Sequence, residues 1–320
     1  MTRDQSLLAL APVATPLTVG VLFRPAKAKL LKLFSDYHLG LVLVTISAIA
    51  WSTAGFFTRL IALDSFTMLA WRGVFGSTAL LAVIIVQHGR GWTKEFTRMG
   101  RVEYFYAFLC FAGMIMFIVS LGYTSVAHNA IIYATLPFVS AFLAWTLFRE
   151  FPSREAIIAS LIALAGVFIM AGFGADGGLF GDILSFGMTI TMAISIVLMR
   201  RYRGLSANAA ACVGGLASGL FCMGLGHPLD VTALQLFYLV LFGVVNSAIG
   251  LSLFALGSKK IPAIETALIG SLDAPMAPLW VWIAFSEMPG IATFIGGGIV
   301  FVTVVTHIWL TQRNQSNAAM

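Results

Sequence analysis

Asp273 sits inside IGSLDAPMAPLWVWIAF, residues 269–285, a stretch that is otherwise almost wholly apolar and holds two prolines. A carboxylate in such a setting binds a substrate ammonium, exchanges a proton, or accepts hydrogen bonds from backbone that the prolines have freed. Thr266, Asp273 and Trp280 are seven apart, a spacing that differs by only about 20° around a helix, so they fall on one stripe. Glu265 borders that stripe at its end. Asn129, Tyr133 and Ser140 form a related stripe, Ser47, Trp51 and Thr58 share a face, and Asn246 and Ser247 add a polar pair. These stripes suit one polar and aromatic cavity in which Trp51, Tyr133 and Trp280 either stack on a substrate or pack. Glu265, beside Lys259 and Lys260, reads as a gating or coupling carboxylate or as a solvated helix start. Arg72, in MLAWRGVFG, has three readings: it binds a substrate carboxylate, pairs with Asp273, or snorkels outward.

Only a membrane chain places charges this way. The 320 residues are 59% hydrophobic and 10% charged, and mean hydropathy is +0.95. That is far below the charge of about 25% that covers a water-facing domain. Ten apolar runs reach or approach the roughly 20 residues a span needs. They lie near 40–58, 67–87, 104–122, 129–148, 156–173, 182–199, 208–226, 235–255, 264–284 and 291–311. With both termini in the cytoplasm, seventeen of the 19 Lys and Arg fall on the cytoplasmic side; only Arg59 lies outside and Arg72 within a span. That asymmetry orients the chain and explains the net charge of +6 without nucleic acid. Cys110, Cys212 and Cys222 lie apart within apolar runs, so neither a disulfide framework nor a metal site is expected. Residues 1–38 hold LLALAPVATPLTVGVLF and the basic amphipathic KAKLLKLF. They are expected as a cytoplasmic extension, disordered or lying on the inner leaflet, rather than a cleaved signal, because basic residues follow.

The chain repeats itself. WTLFREFP at 145–152 and WIAFSEMP at 282–289 match at Trp145/Trp282, Phe148/Phe285, Glu150/Glu287 and Pro152/Pro289, an offset of 137. The offset also pairs Gly113 with Gly250, Ala130 with Ala267, and His128 with Glu265. His128 then sits at the opposite mouth, either titrating there or as a plain loop-edge histidine. Five spans per half is an odd number, so the halves are inverted, an architecture that puts a binding site near the midplane between them. Glu150 and Glu287 end helices before prolines and read as structural. Gly215/Gly219, Ala159/Ala163 and Gly296–Gly298 are small residues suited to close helix packing.

Ten spans as five plus five, Pro137 in the fourth, and FREFP and FSEMP closing the fourth and ninth together resemble the EamA-type branch of the drug/metabolite transporter superfamily over about residues 39–313. The chain departs from that pattern in its N-terminal extension and in Pro275, one residue past the equivalent of Pro137. The resemblance implies an all-α polytopic membrane protein of two inverted five-helix repeats, 39–174 and 180–313, with a tail at 314–320. It also implies a cavity among spans 3, 4, 8 and 9 with 1 and 6 around it, and a secondary carrier of small metabolites, often an exporter of amino acids or related compounds. The expected setting is the plasma (inner) membrane of a bacterium, the partners a small-molecule substrate and the lipid bilayer, and the coupling a proton or substrate gradient. No cofactor and no nucleic acid are expected, and the sequence does not indicate an oligomeric state. The rival classes are a membrane-embedded enzyme and a channel or scaffold. GLSLFALGSKK carries six residues between Gly250 and Gly257 where a phosphate loop needs four, and no HExxH or GxSxG occurs. Reporter fusions after residue 313 and within 88–103 are expected in the cytoplasm, and fusions near 62–65 and 175–180 outside; an external C-terminus breaks the ten-span scheme.

Overall fold

Apolar runs of this length leave the backbone only itself to bond with, and each one is helical. The computed structural model of the chain describes residues 36–124, 126–171, 178–286 and 288–318, with side chains at all of these except 126–128 and 312–318. The N-terminal extension up to residue 35, Glu287, and the side chains of His128 and Arg313 therefore lie outside the described residues. Among the described residues, besides a short helix at Thr93–Thr97, ten apolar helices follow: α1 (Asp36–Ile61), α2 (Ser65–His88), α3 (Arg101–Leu121), α4 (Asn129–Phe148) and α5 (Arg154–Ala171), then α6 (Leu179–Arg201), α7 (Ala207–Met223), α8 (Ala233–Gly257), α9 (Ala263–Phe285) and α10 (Ile291–Thr311). Nine are long and apolar enough to cross a membrane, and α7, at 17 residues, is the short one. At 1.5 Å per residue it reaches about 25 Å, the lower end of what a span requires. No strand occurs among the described residues.

The packing confirms the inverted halves. Helices at equivalent places in the two repeats pack on each other and run antiparallel: α2 on α7, α4 on α9, α5 on α10. Ser77 Oγ donates to the Cys212 carbonyl at 2.9 Å, and near the other end of the pair the His227 amide donates to Thr67 Oγ1 at 2.7 Å. Between them a Cβ on Gly73 would stand 2.6 Å from the Gly219 Cα. Gly166 and Gly296 give α5 and α10 the same close approach. Small residues let backbones meet, and large ones face outward: Phe108, Leu161, Ile183 and Leu220 are all more than half exposed. That distribution is the reverse of a soluble bundle and suits lipid surroundings.

The connections gather at two ends. At one, which we call the basic end, Ser206 Oγ donates to Glu95 Oε2 at 2.6 Å, Arg200 lies 3.8 Å from Glu150, and Lys259 Nζ donates to the Leu205 carbonyl at 2.7 Å. At the other, Thr124 Oγ1 donates to Asp182 Oδ1 at 2.7 Å and Gln235 Nε2 to the Ile61 carbonyl at 3.0 Å.

Two helices are broken at matching places. α4 is interrupted at Ala134–Thr135 and α9 at Ser271–Leu272. Both breaks fall at the 137-residue offset read from the sequence, and so do the left-handed caps that end these helices, Arg149 and Ser286, each at φ 56°. The one-residue displacement of Pro275 relative to Pro137 therefore does not shift the register; each proline sits just inside the half-helix that follows its break.

Gly73→Ala is expected to cost about 1–3 kcal/mol through overpacking against Gly219, measured as a lower thermal midpoint in detergent. Gly298→Ala, where an added Cβ meets nothing within 4 Å, is expected to leave the midpoint unchanged.

Candidate functional site

The two breaks meet in the interior. Tyr133 is the last residue before the α4 break, Asp273 the first after the α9 break, and the two side chains lie within electrostatic reach of each other. Both are half-buried. Asp273 heads the half-helix Asp273–Phe285, where aligned peptide dipoles favour negative charge, and the Ala274 amide donates to its carboxylate. A carboxylate placed so lies in the first turn, accepts that one amide, keeps open surface, and has no cationic partner among the described residues.

The wall beside it comes from α1 and α8. Residues Val244–Leu251 of α8 form a π-helical segment, which widens the turn and takes carbonyls out of the regular ladder. Side chains of α1 supply what is missing: Trp51 Nε1 donates to the Asn246 carbonyl at 3.0 Å and Ser47 Oγ to the Gly250 carbonyl at 2.7 Å. The Trp51 ring also lies 4.7 Å from that of Phe254. The Asn246 amide nitrogen is buried without a partner, a donor held ready in a half-buried wall. On α9, Trp280 Nε1 donates to Ser52 Oγ at 2.8 Å.

The other residues singled out by sequence are placed differently. Asn129 is 4% exposed and its amide donates to Ser120 Oγ at 2.7 Å, tying α4 to α3. Thr266 and Ser140 bond to the Pro262 and Pro137 carbonyls of their own helices, and the breaks divide the stripes on which helical spacing had placed them. Thr58 lies beyond a turn at Thr53 and is exposed. Arg72 makes no ion pair with Asp273. Its guanidinium reaches the Met114 sulfur and lies 5.3 Å from the Phe242 ring centroid, held between α3 and α8 where neither pairing nor outward snorkelling occurs. Glu265 is 6% exposed and accepts a hydrogen bond from the Tyr37 hydroxyl, so the solvated helix start is not what is found. Nearby, burial pushes the Lys259 ammonium below its usual range, against the opposing pull of Glu95.

Sequence reasoning passed over Tyr37, Ser52, Phe254 and the π segment. Tyr37 and Ser52 bond to residues 228 positions away, which no local spacing reveals. The π turn lies in VVNSAIGL, where only the Asn-Ser pair and a glycine interrupt an apolar run.

Trp51→Phe leaves the Asn246 carbonyl unpaired and is expected to cost about 1–3 kcal/mol. Asn246→Leu removes a donor that already lacks a partner and is expected to stay within about 0.5 kcal/mol. Thermal unfolding of both in one detergent tests the contrast.

A family model described as the EamA-like transporter family matches residues 38–172 and again 179–309. A solved crystal structure, described simply as that of a protein, superposes with a TM-score of 0.75 over 85% of this chain and 98% of its own at 16% identity, a likeness that shows the fold. Comparison with curated proteins gives no match.

Proposed function

We propose, for a chain that belongs to the EamA-like transporter family, secondary active transport of small organic metabolites by alternating access. The family is one of integral membrane transporters. The finer reading is ours: the substrates are amino acids or related compounds, movement is outward, and a proton gradient or the substrate's own gradient drives it. The membrane is the bacterial inner membrane, with the basic end and both termini in the cytoplasm, as the distribution of Lys and Arg supports.

The observation that carries this reading is the meeting of two interrupted helices, one from each inverted half, with Tyr133 and Asp273 at the interruptions. Backbone is broken within a membrane where it lines a cavity or a site. Asp273 takes the substrate ammonium or the coupling proton, the Asn246 amide supplies a donor for a substrate carbonyl or carboxylate, and Trp51 and Trp280 give an apolar face. Arg72, in its own setting of Met114 and Phe242, adds positive potential toward a substrate carboxylate from α2.

Asp273→Asn keeps the size and an oxygen to accept the Ala274 amide but removes the charge. If Asp273 binds the ammonium, losing a charged hydrogen bond of about 1.5–3 kcal/mol weakens substrate binding roughly ten- to hundredfold. Both exchange and net transport in proteoliposomes then fail. If it carries only the proton, exchange of labelled for unlabelled substrate survives and uphill transport fails. Wild-type exchange and wild-type pH dependence in Asp273→Asn, at equal reconstituted protein, overturn the assignment, and a requirement for ATP overturns secondary transport.

A further inference from the structure

A second carboxylate lies at the basic end. Glu265, in the first turn of α9, is 6% exposed, and the Tyr37 hydroxyl of α1 donates to its Oε2. Farther along the same two helices Trp280 donates to Ser52. Both bonds span 228 positions, so α1 and α9 run parallel and in register, pinned at two levels about 22 Å apart. Asp273 lies between the pins, about 12 Å along α9 from Glu265, so Glu265 is not part of the midplane site.

Its surroundings tie the two halves together. The charged groups that bear on it are Arg200 on α6 and Glu150 after α4, themselves 3.8 Å apart. Arg200 Nη1 also donates to the Lys259 carbonyl at 3.4 Å. On α5, which packs against the same half-helix, Glu155 bears on His307 of α10. A cavity of about 130 Å³ adjoins the carboxylate, lined by Ala144, Glu150, Pro152, Ser153 and Glu265 among others. Glu150 is half exposed and has a cation beside it, whereas the direct partner of Glu265 is a neutral hydroxyl.

We propose that Glu265 is a proton-binding site distinct from Asp273, and that the proton it takes from the basic-side solution through this cavity releases α9 from α1 at that end. The proton adds to Oε2 and converts the carboxylate to a neutral acid. The Tyr37 bond changes from charge-assisted to ordinary, which is roughly half as strong, and the attraction to Arg200 ends. No other bond changes. The site rests on the carrier reading, because a latch at one end serves a molecule that opens its ends in turn.

The test reads access without substrate. In full-length protein lacking Cys110, Cys212 and Cys222, a cysteine replaces Ala144, which is 3% exposed and lines the cavity. Its alkylation by a charged thiol reagent in vesicles is divided by that of a cysteine at the exposed Arg90, cancelling the reagent's own pH dependence. Between an alkaline and an acidic buffer the ratio is expected to rise roughly tenfold in the otherwise wild-type protein, as one titrating group is protonated. Glu265→Gln is expected to give a high ratio that pH does not change, and Tyr37→Phe a high ratio already at the alkaline end. A low, pH-independent ratio in the parent, or the parental pH profile in Glu265→Gln, overturns the proposal. If Glu265→Gln does not fold, an unchanged ratio in Tyr37→Phe overturns it alone. pH-gated labelling in a chain that exchanges no substrate keeps the proton site and sinks the carrier reading; exchange without pH-gated labelling does the opposite.

Discussion

In hydrocarbon, every peptide N–H and C=O must find a partner within the protein. The architecture of this chain follows from that requirement and from the places where it is strained, three of which bear on the candidate site. α4 and α9 stop and restart, and α8 widens into a π segment. None of the three is left to lipid. The α4 and α9 breaks turn toward each other, and the carbonyls displaced in α8 are taken up by Trp51 and Ser47 of α1. Side chains that repair the backbone are drawn to the same place as those of the proposed site, so under that proposal stability and recognition share residues there.

Inversion explains why the irregularities come in pairs and why the chemistry does not. The breaks of α4 and α9 and the left-handed caps at Arg149 and Ser286 are copies of one design. Position 136, the counterpart of Asp273, is Leu136, which is 3% exposed and packed in the core. The counterpart of Tyr133 is Gly270. One half thus brings the carboxylate and the other the phenol, and the pair exists only because the halves cross. The π segment of α8 likewise has no twin, since its counterpart lies within the unbroken helix α3.

What the sequence made legible were the properties that repeat or sum along the chain: the spans, their count, the two-fold offset and the gathering of charge at one end. The helix breaks themselves were not read from the sequence, but they fall at that offset, although displaced Pro275 suggested a slip. What escaped it depends on how a helix is wound or on pairs far apart. Helical spacing grouped Thr266 with Asp273 and Asn129 with Tyr133 and Ser140, and the breaks at Ala134–Thr135 and Ser271–Leu272 divide both stripes. Asn129 looked like a cavity residue because its spacing put it on a stripe with Tyr133, but its amide donates to Ser120 on the neighbouring helix. Glu265 reads from the lysines before it as a gating or coupling carboxylate or a solvated helix start; it is buried, with Tyr37 arriving from the far end of the sequence to bond it.

The in-register pairing of α1 with α9 also sets an order of assembly. The described hydrogen bonds of α1 side chains to other helices are made to residues 195–228 positions later. At ribosomal speeds of about 5–20 residues per second, α1 waits roughly 10–45 s in the bilayer before those partners emerge. During that wait its tyrosine, tryptophan and serines must be sheltered by lipid headgroups, water or the insertion machinery. Of the described helices, the one made first is therefore among the last to gain its inter-helix partners.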